Sequence, residues 1–233
     1  MKEEVILHQW AISPFCGKVR RILDDKNIAY RVKNYNGALV AKAASLSSAG
    51  KLPVLDINGK RIADSRQIAT YLEKEFDSTP LVPKNSQQQA VMNIYQDWAD
   101  ESLYWYCFYF RLNYDNAWEQ VATYFSEGRP SYEKLIVRHF GRVQYKRNLM
   151  AQGIGRYSKS QVEERFLFLL DQLNETLHEK HWLVGDRKTL ADIAVASQLH
   201  EIKRTSHLVS RMSEFKEVER WLVSNEEKSF PHC

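Results

Sequence analysis

An α/β unit followed by an all-helical region is the architecture this 233-residue sequence predicts. Three observations carry it. Strand-like and helix-like segments alternate over residues 1–76. A turn-rich stretch with two prolines, DSTPLVPKNSQ, fills residues 77–87 and reads as a linker. From about residue 88 onward only helical periodicity remains. The expected division is therefore 1–78, a linker at 79–87, and 88–233.

The elements follow in order. Val5–Gln9 is a short apolar strand. Phe15–Lys26 carries Val19, Ile22 and Leu23 at helical spacing. Ile28–Lys33 reads as a second strand, and Leu39–Leu46 is Ala-rich and weakly helical. Val54–Ile57 and Lys60–Ala63 flank Asn58-Gly59, a tight-hairpin signal because both turn positions need positive φ. Ser65–Phe76 puts Ile68, Ala69, Leu72 and Phe76 on one helical face. In the second half, Val162, Phe166, Leu169, Leu170, Leu173 and Leu177 trace an apolar stripe. Thr189-Leu190-Ala191-Asp192 opens a further helix with a shortened capping box, although Lys188 leaves its hydrophobic staple missing.

Composition narrows the function classes. The chain is 44% hydrophobic and 27% charged, as a soluble globular protein is. MKEEVIL lacks the basic head and long apolar run of a secretory signal. The densest apolar run, Leu103–Phe110, is too short to span a bilayer. A cytoplasmic protein with no membrane span is expected. Cys16, Cys107 and Cys233 form no close pair, which argues against a disulfide framework or a structural zinc site. His178 and His181 lack companions for a metal site, so no metal is expected. The formal charge is +4. Lys134, Arg138, Arg142 and Lys146, flanked by His139 and Arg147, form a basic stripe at four-residue spacing. It is either a solvated face or a wall that attracts anions or an acidic partner. Nothing resembles a nucleic-acid module.

The stretch ISPFCGKVR, residues 12–20, nearly spells a dithiol redox site, but its first cysteine position is Ser13. Serine followed by proline is also a good helix start, worth about 1 kcal/mol as a cap. The two roles are compatible, because a hydroxyl can accept from the helix and donate outward. A helix N-terminus carries about half a positive charge. A thiol that titrates near about 8.5 when free would be stabilised there as thiolate. The place thus suits a thiolate supplied by a small-molecule thiol. Cys16 reads as a small buried hydrophobe or as a redox thiol. With Ser13 in place no dithiol mechanism is available.

Taken together, Ser13-Pro14-Phe15, Lys51-Leu52-Pro53-Val54-Leu55, Asp64-Ser65, the proline-bearing linker and Thr189-Leu190-Ala191-Asp192 resemble the cytosolic glutathione transferase superfamily. The Ser-Pro-Phe start resembles the serine-type tau class. SPFC, GKLPVL, IADS, AQGIGRYSKSQVEE and LVGDRKTLADIAV are closer to the failed axon connections and metaxin-like branch. The resemblance covers nearly the whole chain. It implies a thioredoxin-like glutathione-binding domain and an all-helical substrate-binding domain, assembled as a homodimer with a detoxification role. The implied reaction transfers the glutathione thiolate, stabilised by Ser13, to a small apolar electrophile. Phe15, Lys51, Leu52, a cis Pro53, Asp64 and Ser65 would bind glutathione: Leu52 through its backbone, Asp64-Ser65 at the γ-glutamyl end, and Lys51 at the glycine carboxylate. From the aromatic helix, Tyr104, Trp105 and Phe108 are the expected substrate wall. Two alternatives remain: a non-catalytic interaction module on the same fold, and a Cys16-dependent glutathione-linked reductase.

Overall fold

Four strands form one mixed sheet in the order β2-β1-β3-β4 in the computed structural model, which describes residues 4–228. The strands are β1 (Ile6–Gln9), β2 (Arg31–Asn34), β3 (Val54–Ile57) and β4 (Lys60–Ala63). β1 runs parallel to β2 and antiparallel to β3, and β3 runs antiparallel to β4. Helix α1 (Pro14–Asp25) makes the crossover between the parallel pair, as such a connection requires. The short α2 (Val40–Ala43) follows β2, and α3 (Ser65–Glu75) follows β4. This is the expected thioredoxin-like arrangement. Val19, Ile22 and Leu23 of α1 and Ile68 and Leu72 of α3 are fully buried, and the two helices pack together. The β3–β4 turn has φ of 50° at Asn58 and 70° at Gly59. That is the backbone the Asn-Gly pair predicts.

The helical region comprises α4 (Ser86–Trp98), α5 (Tyr104–Asn113), α6 (Asp115–Phe125), α7 (Ser131–Ile136), α8 (Arg142–Gln152), α9 (Lys159–Thr176), α10 (Leu190–Thr205), α11 (Val209–Met212) and α12 (Lys216–Ser224). Wide π turns at Ala99–Leu103 and Val137–Gly141 join α4 to α5 and α7 to α8. α10 is buried on every side and packs against α4 and α5. Two of its buried polar side chains, Asp192 and Glu201, are hydrogen-bonded within the helical bundle. α9 buries Val162, Phe166, Leu170 and Leu173, four positions of the predicted stripe. It starts with a reciprocal cap between Ser158 and Gln161, which satisfies two orphan amides at once.

The described residues divide into two compact units, each assembled from separate stretches of chain. The first unit takes Thr123–Val137 in addition to the residues up to Leu81, and it also takes Glu227 and Lys228. The second is Val82–Ala122 with Arg138–Glu226. Polar contacts account for the capture of Thr123–Val137. The Asn36 side chain donates to the Glu127 carbonyl at 3.0 Å, and the Ala38 amide donates to the Glu133 carboxylate at 2.8 Å. The expected linker also holds a fully buried side chain, Leu81. No helix of the described residues is long and apolar enough to cross a membrane.

Candidate functional site

The sheet register gathers the predicted residues at one end. His8 of β1 faces Val54 of β3, and Val54 faces Ala63 of β4. β1 leaves the sheet toward Ser13, β3 enters it from Lys51-Leu52-Pro53, and β4 leaves it toward Asp64-Ser65. Since Gln9 pairs with Asn34, β2 also ends there and continues into Tyr35–Gly37. Four chain segments thus converge at one edge of the first unit.

Each segment has a local cause. Ser13 is the N-cap of α1, with Pro14 at the first helical position. Its hydroxyl accepts from the Cys16 amide at 3.4 Å, a long and weak contact. Its own amide donates to the Trp10 carbonyl at 3.0 Å, closing the turn out of β1. The hydroxyl is left with its donor hydrogen to direct elsewhere. Phe15 is half-buried one position further on. Cys16 is fully buried, so it presents no surface to a disulfide substrate and packs as a small core residue.

The Leu52–Pro53 peptide is cis. Pro53 is buried, Leu52 half-buried and Lys51 exposed. Asp64 has φ of 73°, a left-handed value that non-glycine residues seldom adopt and that recurs at binding sites. Its carboxylate accepts from the amides of Arg66 at 2.9 Å and Gln67 at 3.2 Å. Two of the helix-terminal donors expected for an incoming carboxylate are therefore already taken by Asp64. The Ser65 amide and hydroxyl are the donors this cap does not use.

A polar chain runs beside this edge. His8 Nδ1 lies 2.8 Å from the Tyr35 hydroxyl, and its Nε2 lies 2.9 Å from Asp56. Arg61 grips Asp56 with two bonds of 2.7 and 2.6 Å. That guanidinium, helped by His8, holds the Asp56 carboxyl down at about 2.

In the second unit the aromatic helix sorts its side chains. Tyr106, Tyr109 and Phe110 are core residues. Tyr104 stacks on Phe108 with centroids 5.7 Å apart, and Phe108 meets Tyr145 edge-on at 5.3 Å. Burial pushes the Tyr104 phenol up to about 12. Trp105 lines a cavity of about 500 Å³ with Tyr106, Ile154, Tyr157, Arg156 and Arg165. Of the three expected wall residues, Trp105 lines this space, while Tyr104 and Phe108 face Tyr145. The basic stripe is partly neutralised: Arg138 pairs with Glu119 at 3.1 Å and Arg142 with Asp115 at 2.7 Å. Among the described residues no cluster of His, Cys, Asp and Glu suits a metal ion.

Two family descriptions match the chain: "Glutathione S-transferase, N-terminal domain" over residues 7–80, and "Glutathione S-transferase, C-terminal domain" over residues 153–227. The chain belongs to the glutathione S-transferase superfamily. An isoprene-epoxide–glutathione S-transferase of Rhodococcus sp. strain AD45 is 28% identical, with 82% of this chain and 80% of the relative covered. Failed axon connections of Drosophila melanogaster is 26% identical over 87% of this chain, which spans about half, 52%, of that relative. Beta-etherase LigF from Sphingobium sp. strain SYK-6 shares the fold at a TM-score of 0.69 and 17% identity, with 98% of this chain and 97% of that one covered. A glutathione S-transferase from Methylobacillus flagellatus, solved with GSH bound, shares it at 0.59 and 19%, covering 97% and 96%.

For a glutathione S-transferase fold, sequence reading finds the three helix and strand termini that meet at this edge. It misses what surrounds them. Trp10 meets Phe125 edge-on at 5.2 Å, and Glu133 docks on Ala38. These partners lie far apart in the chain, and no local pattern announces them.

Proposed function

We propose that this protein transfers the thiolate of glutathione to a small apolar electrophile, with Ser13 as the catalytic hydrogen-bond donor. The observation that carries the reading is Ser13 at the N-cap of α1, on the sheet edge that also holds the cis Leu52–Pro53 bond and Asp64-Ser65. Glutathione is the co-substrate. The Leu52 backbone pairs with its cysteinyl part, Ser65 and Asp64 take its γ-glutamyl end, and Lys51 takes its glycine carboxylate. Phe15 packs within the turn that holds the thiol.

The step is a displacement on carbon. The thiol proton leaves to solvent, and the Ser13 hydroxyl donates to the sulfur anion beside the helix N-terminus. Sulfur then forms a bond to the electrophilic carbon while the carbon's bond to its leaving atom breaks. With an epoxide, the class named for the Rhodococcus relative, that atom is the ring oxygen, and the alkoxide takes a proton from water. Two effects are required: a modest fall in thiol pKa, each unit being about 1.4 kcal/mol, and the proximity of two bound reactants. Trp105, with Tyr104 and Phe108, supplies aromatic surface for the apolar partner, and a homodimer is the proposed assembly.

The test is retention of the protein on immobilised glutathione and release by the free tripeptide. Conjugation is then assayed in Ser13→Ala and Cys16→Ser variants. Loss of roughly tenfold or more in kcat/KM confined to Ser13→Ala supports transfer. Loss confined to Cys16→Ser would support a reductase instead. A second reading, a non-catalytic module, is favoured by one observation: Asp64 already fills the Arg66 and Gln67 amides. Absence of retention in the parent protein selects that reading.

A further inference from the structure

We propose that Glu227 is a positioning residue for the turn that carries Ser13, acting through Arg20. The role in thiolate chemistry rests on the transfer reading above; the mechanical link does not. Arg20 lies on α1 and is fully buried. Its Nη1 donates to the Gln9 side chain at 2.6 Å, and its Nη2 donates to the Ala11 carbonyl at 3.0 Å. Gln9 in turn donates to the Asn34 side chain at 2.9 Å. Gln9 and Ala11 flank Trp10, whose carbonyl holds the Ser13 amide. The guanidinium therefore braces both sides of the turn from behind.

What holds the guanidinium is a carboxylate 207 residues along the chain. Arg20 Nε donates to Glu227 Oε1, Nη2 reaches Oε2 at 3.3 Å, and the Glu227 side chain is only 4% exposed. Arg21 adds a contact to Oε2 at 3.3 Å and to the Gly17 carbonyl at 3.2 Å. Asp24 and Tyr30 lie within electrostatic range of Glu227, and Lys228 donates to the Asp24 carbonyl at 3.1 Å. A buried guanidinium that loses its counter-charge moves or admits water. Either outcome loosens its bonds to Gln9 and Ala11. Glu227 thereby tunes where the Ser13 hydroxyl sits.

The experiment compares Glu227→Gln with the parent and with Glu226→Gln, an exposed neighbour. Amide hydrogen exchange is read at Ser13 and Gly17. Expected is a rise of about tenfold at these amides in Glu227→Gln, the loss of one charge-assisted bond, with β3 amides unchanged. In parallel, the rise of kcat/KM with pH moves to higher pH in Glu227→Gln, whereas KM for the electrophile holds. Glu227→Asp restores part of both. Unchanged exchange at Ser13 and Gly17, or a uniform rise across β3 as well, overturns the proposal. A parent protein that is not retained on glutathione overturns the transfer reading alone, and the exchange comparison still decides the link.

Discussion

The Asp192 carboxylate accepts the indole N–H of Trp221 at 2.9 Å, and both side chains are fully shielded from solvent. The same carboxylate takes the amides of Leu183 and Thr189, each at 2.8 Å, and the Thr189 hydroxyl at 2.9 Å. It ties the start of α10 to the preceding loop and to α12. Asp192→Asn turns two N–H donors toward groups that are themselves donors. The expected cost is about 3 kcal/mol, read as a fall in urea midpoint at constant slope.

Arg111 and Glu201 form a buried pair at 2.8 Å, with Thr205 accepting from Arg111 at 2.9 Å. Removing one partner strands the other charge. Arg111→Met should cost about 3–5 kcal/mol, and the double change Arg111→Met with Glu201→Met should recover most of it. Chemical denaturation of the three proteins decides the point; a double variant no more stable than the single one refutes it.

Acid stability should carry a signature of Asp56. Its folded pKa is lowered from 3.8 to about 2, so its contribution is fully present above 3.8 and is lost as pH falls through about 2. The side chain is 28% exposed, and after screening about 1 kcal/mol is expected. Arg61→Ala should flatten this part of the stability–pH curve and raise the Asp56 pKa seen by NMR.

Gly37 sits at φ of +54°, and a Cβ there would lie 2.0 Å from the Glu133 carboxylate. Gly37→Ala should cost about 1–3 kcal/mol. It should also open the segment around Glu133 to protease before the rest of the first unit. Cleavage sites mapped by mass spectrometry test this, and unchanged cleavage there defeats it.

Cys107 is fully buried, and burial pushes its thiol up to about 11. In the folded protein it should resist a disulfide reagent at about pH 8, and it should react fully in denaturant. Peptide-level mass spectrometry distinguishes it from the other cysteines.

Features set by short-range chemistry were legible from residues alone. Asn58-Gly59 forces its hairpin because both positions accept positive φ. Ser13, Asp64 and Thr189 begin helices because their side chains accept orphan amides. The same logic picks out three of the segments that converge at one edge of the first unit, since they are element termini. Other features depend on partners distant in the chain. The Glu133–Ala38 contact spans 95 residues, and no periodicity marks either residue. The π turn at Ala99–Leu103 lies inside an unbroken helical pattern, where one extra residue per turn leaves no compositional trace. Tyr104 and Phe108 read as one face because they share a helix side; that Tyr145, some forty residues away, meets Phe108 edge-on is a contact no local pattern marks.

Recombination between relatives is constrained by the three-piece make-up of the first unit. A crossover placed in the proline-rich joint would import a foreign Phe125, Glu133 and Glu227 against a resident Trp10, Ala38 and Arg20. Chimeras that keep those partners together preserve the contacts that assemble the first unit, whereas cuts chosen by chain order alone separate them.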